Sequence, residues 1–221
     1  MADSSMLLDK AAELQRRGIF LGGPKRKFIP AGRGQLELLL THGLVPESRV
    51  LDVGCGALRG GWWSINFLRP NCYFGIEPNA EMLNAGIEVM LGAELLEEKQ
   101  PKFSNTPDFD FSLFGEKFDF VIARSIWTHA SQDHIRTMLS QFKLCSTPRS
   151  IFLASIKPPK TGEEVYTGSE WQGRSHENDD AAMAHYNFAT VESLCAESGL
   201  TAEALGESDQ QLWCKVSHPQ S

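Results

Sequence analysis

Arg49-Val50-Leu51-Asp52-Val53-Gly54-Cys55-Gly56-Ala57-Leu58-Arg59-Gly60-Gly61 decides the fold. Val50 to Val53 is a short apolar run with the character of a buried strand. Gly54 and Gly56 then let the chain turn sharply where a side chain would stand in a ligand's way. Gly60, Gly61, Trp62, Trp63, Ile65, Phe67 and Leu68 continue as a helix that stops by Pro70. Ligands of open α/β sheets sit at the carboxyl ends of the strands, so this glycine-rich strand-to-helix turn predicts a cofactor site.

What the turn lacks narrows the ligand. A dinucleotide fingerprint, G-x-G-x-x-G, needs glycine where Arg59 stands, so that helix and strand pack closely around a pyrophosphate. Here Asp52 precedes the first glycine by two residues, and a carboxylate at that depth suits a ligand with positive charge, an ammonium or a sulfonium. The stretch Leu51 to Gly56 resembles the first motif, LDxGCGxG, of the class I S-adenosylmethionine-dependent methyltransferases. It departs at Leu58, where that family usually has its third glycine. The resemblance implies a doubly wound, mostly parallel seven-stranded sheet with helices on both faces and a closing antiparallel hairpin. It also implies S-adenosylmethionine as cofactor and S-adenosylhomocysteine as product, with Gly54, Cys55 and Gly56 around the methionine part and Asp52 on its ammonium.

The 221 residues are enough to bury a core and are most simply one domain, 1–221. Apolar residues make up 42% and charged residues 22%, the balance of a folded soluble protein. A net charge of −7 argues against nucleic acid or an anionic membrane as partner, and Lys25-Arg26-Lys27 is too short a basic run to reverse that. Five cysteines with no paired spacing read as reduced thiols, and with no basic-apolar leader or bilayer-length apolar run the expected location is the cytoplasm. No Cys/His cluster points to zinc, and the adjacent Asn178-Asp179-Asp180 is the pattern of a solvated turn, so no metal is expected.

Residues 1–44 read as a helical cap and 45–217 as the α/β core. Leu7, Leu8, Ala11 and Leu14 recur at helical spacing, Gly18 to Gly34 reads as a loop, and Leu36 to His42 as a second helix. In the resembled family such elements cover the cofactor, which would make Phe28 and Arg33 its contacts. Cys72 to Pro78 is the second strand, and it places Glu77, with Pro78 beside it, about twenty residues past the glycine turn, where an acid accepts hydrogen bonds from ribose hydroxyls. Asn79 caps the next helix, and Lys102 to Ser104 is a short third strand. The resemblance implies that Asp108 and Phe109 flank an adenine ring. Lys117 to Ala123 is a fourth strand, with Arg124 and Ser125 expected at the cofactor edge beyond it. Ser131 caps a helix, Ser150 to Ile156 is a fifth strand, and Thr201 to Val216 closes as a hairpin.

Methyl transfer to a hydroxyl needs alignment, exclusion of water and a proton acceptor. His129, just past the fourth strand, is the first choice as base, followed by His185, with His176 on the acceptor side. The stretch 157–186 is long and carries isolated aromatics, which favours a substrate loop over a solvated linker. Trp127, Trp171 and Tyr186 are candidate walls for an apolar or aromatic acceptor. The expected activity is O-methylation of a small molecule by a monomer or homodimer. N-methylation of a small molecule or protein is the alternative within the class. A nicotinamide oxidoreductase or a non-catalytic methyltransferase-like partner protein are the alternatives outside it.

Overall fold

The structure, a computed structural model, describes residues 4–173 and 182–219. They fall into two compact units, Met1–Pro107 and Asp108–Ser221. Together these supply the strands of a seven-stranded, mostly parallel sheet closed by an antiparallel hairpin, the architecture the sequence predicts.

The first unit is built on β1 (Val50–Val53), β2 (Tyr73–Ile76) and β3 (Lys102–Ser104), all parallel, in the order β3-β2-β1. Every residue of β1 and β2 is buried, the pattern of parallel strands covered on both faces. Helices α1 (Ser4–Arg16) and α2 (Phe28–Thr41) precede the strands, and α3 (Gly61–Phe67) follows the glycine turn. After β2 come α4 (Ala80–Gly86), a π-helical turn at Ile87–Leu91 and α5 (Gly92–Lys99). A π turn leaves carbonyls without their usual donors. Here the Lys10 ammonium of α1 donates to the carbonyls of Val89 and Met90, at 2.5 and 3.1 Å, which ties the N-terminal helix to this layer.

The segment expected to be a loop as far as Gly34 turns helical at Phe28. Pro30 is tolerated because it sits in the first turn, where no intrahelical donor is required. Gly32 is there for packing: a Cβ on it would run into the Arg59 carbonyl and reach the Trp63 indole nitrogen at 3.0 Å. Arg33, expected to contact the cofactor, pairs with Glu37 one turn on, with both side chains more than half exposed. Phe28 is 2% exposed and serves the core.

The second unit holds β4 (Phe118–Ala123), β5 (Ser146–Ile156), β6 (Thr201–Ser208) and β7 (Gln211–Ser217), in the order β4-β5-β7-β6. β4 and β5 run parallel, and β7 is antiparallel to both β5 and β6. Helix α6 (Gln132–Leu144) buries Ile135, Met138, Leu139 and Phe142 on one face, and α7 (Phe188–Glu197) is capped by the Asn187 side chain. All five cysteines are free thiols. Among the described residues no helix is long and apolar enough to cross a membrane.

Glycine packing in the first unit supplies a direct test. A Cβ on Gly86 would lie 2.7 Å from the Ala57 backbone, which cannot move aside without distorting the turn. Gly34, inside α2, has nothing within 4 Å of the same position. Gly86→Ala is expected to destabilise by about 2–3 kcal/mol and to lower Tm by roughly 5–10 °C. Gly34→Ala is expected to gain about 1 kcal/mol from helix propensity. Thermal melts of the two variants read this directly.

Candidate functional site

In the first unit the glycine turn and the end of β2 are joined by one carboxylate. Gly54 and Cys55 donate their amides to the Ile76 carbonyl, at 2.8 and 3.1 Å, which brings the turn against the last residue of β2. Glu77, 5% exposed, then accepts the Gly56 amide on Oε2 at 3.0 Å and the Asn79 amide on Oε1 at 2.9 Å. Its own backbone is held from β3, through Glu77 N–H to the Ser104 carbonyl and Asn105 Nδ2 to the Glu77 carbonyl. A carboxylate offers about four lone-pair sites. Two main-chain donors therefore orient Glu77 and leave it acceptor capacity for paired hydroxyls. Pro78 is exposed beside it.

Gly54 and Gly56 have φ of +73° and +55°. A Cβ on Gly56 would meet only the Met82 sulfur, at 3.5 Å, so backbone conformation rather than packing calls for glycine there. Leu58 adopts the same hand, with φ +62°, and is wholly buried. The left-handed conformation costs about 1–2 kcal/mol, whereas burying a leucine contributes about 1.5–3 kcal/mol. Burial wins, and the chain keeps the shape of a third glycine without having one.

Arg59 has a role the sequence did not reveal. Its guanidinium donates to the carbonyls of Leu21 and Gly22, at 3.3 and 2.7 Å, and clips the N-terminal segment beside the turn. The close helix-to-strand approach is made two residues later. A Cβ on Gly61 would stand 2.5 Å from the Tyr73 hydroxyl.

That hydroxyl donates to Asp52 Oδ2 at 2.7 Å. Asp52 is 5% exposed, and burial raises its pKa to about 6, against the lowering effect of the Tyr73 hydrogen bond. The same burial raises the Cys55 thiol well above its ordinary range, so Cys55 is a neutral part of the turn.

In the second unit His129 is 4% exposed and sits in the turn after β4. Its Nδ1 lies 2.7 Å from the Gln172 carbonyl, and the Gln172 amide donates to the His129 carbonyl at 2.7 Å. A carbonyl only accepts, so Nδ1 carries the proton and Nε2 is the basic nitrogen of the neutral ring. Trp171 stacks on the His129 ring, with centroids 5.9 Å apart and planes 19° apart. Phe109 stacks on Trp171 at 6.3 Å and 27°, and His134 meets both edge-on. His134 also completes the capping box of α6, its Nδ1 accepting the Ser131 amide, and no local motif marks it as a member of the ring cluster. Phe109, expected beside an adenine, is a member of this ring cluster. Asp108 next to it is exposed.

Arg124 pairs with Asp209 at 2.7 Å. Ser125, with φ +59°, donates its amide to Ser155 and shares hydrogen bonds with Gln211. The tip of the β6–β7 hairpin therefore holds the end of β4, a role for Asp209 and Gln211 that no local motif announces. Trp127 is fully buried edge-on to Phe152. Tyr186 is fully buried, with its hydroxyl donated to the Ala130 carbonyl. Both back the site from inside the core. His185 Nδ1 lies 3.5 Å from Glu163, and its carbonyl accepts the Tyr166 amide at 2.9 Å. His176 and Asn178 to Asp180 lie outside the described residues. Among the described residues no group of three or more His, Cys, Asp or Glu is arranged to hold a metal ion.

Asp52 predicts a pH-dependent stability. A carboxyl whose folded pKa of about 6 exceeds the ordinary 3.8 opposes folding when ionised, and that opposition fades as pH falls from 6 toward 4. Asp52→Asn keeps an acceptor for Tyr73 and removes the charge, a difference of roughly 3 kcal/mol at most. The variant should melt roughly 5 °C above the parent at pH 8 and close to it at pH 4.5. A variant no more stable at pH 8 would show that the charge is not costly there.

No family model matches the chain, and no curated protein matches it in sequence. Solved structures match it in fold. The magnesium protoporphyrin IX methyltransferase ChlM from Synechocystis PCC 6803, with bound SAM, aligns at TM-score 0.64 and 14% identity over 88% of this chain and 81% of that one. The CcbJ methyltransferase from Streptomyces caelestis aligns at 0.64 and 15%, over 89% and 97%. DhpI in its SAH complex aligns at 0.63 and 11%, over 99% and 100%. With its parallel strands, glycine turn and closing hairpin, the chain has the fold of the class I S-adenosylmethionine-dependent methyltransferases.

Proposed function

We propose that the protein is an S-adenosylmethionine-dependent methyltransferase of a small-molecule acceptor, with oxygen as the accepting atom, and that the whole of 1–221 is one methyltransferase domain. The observation that carries this is the Glu77 carboxylate, oriented by the amides of Gly56 and Asn79 at the end of β2 with acceptor capacity to spare. The neighbours ChlM and DhpI, solved with SAM and SAH, support the cofactor. The five free thiols support a reducing compartment.

Bound S-adenosylmethionine supplies a methyl group activated on a sulfonium. Glu77 would take the ribose hydroxyls, and the main chain of Gly54, Cys55 and Gly56 would line the methionine part. Asp52 suits its ammonium: a cation beside a buried carboxylate offsets the cost of the charge. His129 is the base of this reading. In the latched protein its Nδ1 donates to the Gln172 carbonyl, which leaves the ring neutral with a basic nitrogen, and that neutral ring would accept the acceptor's hydroxyl proton as the oxygen–methyl bond forms.

Calorimetric titration with S-adenosylmethionine, S-adenosylhomocysteine and NAD tests the reading. The two sulfur ligands should bind saturably, and Glu77→Ala, checked by its melt to be folded, should weaken them tenfold or more. Saturable binding of NAD alone would put the oxidoreductase alternative in its place, and binding of none would favour the non-catalytic partner.

A further inference from the structure

Trp171 lies outside the sheet and its helices, yet it is the ring that touches every other aromatic of the cluster around His129. It is stacked on His129 and on Phe109 and meets His134 edge-on. Such offset-stacked and edge contacts require a flat partner with a π face, which a saturated ring does not offer. The segment bearing Trp171 is anchored at Tyr166, whose carbonyl accepts from Gln132 Nε2 and whose amide donates to the His185 carbonyl, at 3.1 and 2.9 Å. Gln172 Nε2 donates to the Tyr166 hydroxyl at 2.6 Å, and that hydroxyl donates to the Glu170 carbonyl at 2.8 Å. The segment is then latched to His129 by the reciprocal pair between His129 and Gln172. With the latch closed His129 is 4% exposed, while Trp171 itself stays half-buried.

We infer that Trp171 holds the place of the acceptor: the substrate is a flat aromatic hydroxyl compound that takes over the stacking contacts of Trp171 with His129 and Phe109 when the Gln172 latch opens. This rests on the methyltransferase reading for its chemistry, but its geometry lies wholly within the second unit. His129 receives the phenolic proton in this arrangement, and the histidine that holds the latch is the one uncovered when it opens. Specificity follows from the rings. A planar acceptor replaces the contacts it displaces, and a saturated alcohol does not.

The test uses p-cresol and, as a saturated control of similar shape, 4-methylcyclohexanol, each added to the full-length protein saturated with S-adenosylhomocysteine. Amide hydrogen exchange at Gln172, protected by the His129 carbonyl, should speed at least fivefold with p-cresol, and exchange in β5 should not change. Labelled histidine Cε1 resonances of His129 and His134 should shift in the same titration. 4-Methylcyclohexanol should bind at least tenfold more weakly. Trp171→Ala should bind p-cresol at least fivefold more tightly than the parent, and Trp171→Phe should resemble the parent. Slower exchange at Gln172 would make Trp171 a lid that closes over the ligand and would overturn the inference, as would equal binding of the two probes. If S-adenosylhomocysteine fails to bind while the p-cresol response holds, the cofactor reading falls and the aromatic site stands.

Discussion

One carboxylate holds two turns of the chain at once. Glu77 receives the amide of Gly56 from the glycine turn and that of Asn79 from the start of α4, and its own main chain is fixed from β3. Hydrogen bonds from these two part-buried amides to a charged acceptor contribute about 1.5–3 kcal/mol each. The turn after β1 and the turn after β2 are consequently positioned relative to each other by a single carboxylate.

Close backbone approach is the second constraint, and it explains a run of residues that otherwise looks like an imperfect motif. Gly32 lets α2 lie on the Arg59 carbonyl, Gly61 admits the Tyr73 hydroxyl, and Gly86 lets α4 rest on Ala57. Tyr73 can then reach Asp52, whose pKa burial raises to about 6. Leu58 in a left-handed conformation and Arg59 clipped to Leu21 and Gly22 are the local consequences of building the turn with two glycines where three are usual.

The second unit holds a histidine in one tautomer. The Gln172 carbonyl settles which nitrogen of His129 bears the proton, and Trp171 covers the ring. Farther back, the β6–β7 hairpin secures the end of β4 through Asp209 and Gln211, so the turn that carries His129 starts from a fixed point.

Periodicity and spacing alone determined the strands, most helices, the glycine turn and the position of Glu77, because each depends on residues near one another in the chain. Buried runs of four to six apolar residues and a glycine pair leave few alternatives for local structure. The helical start at Phe28 escaped that logic, since Pro30, Gly32 and Gly34 read locally as breakers and only the approach of α2 to Arg59 makes Gly32 necessary. The partners of Asp52, Arg59, Ser125 and His129 were likewise illegible, being 21, 37, 86 and 43 residues away at Tyr73, Gly22, Gln211 and Gln172. Tertiary structure decided those pairings, because a hydrogen bond between distant residues depends on where the fold brings them and leaves no period in the sequence.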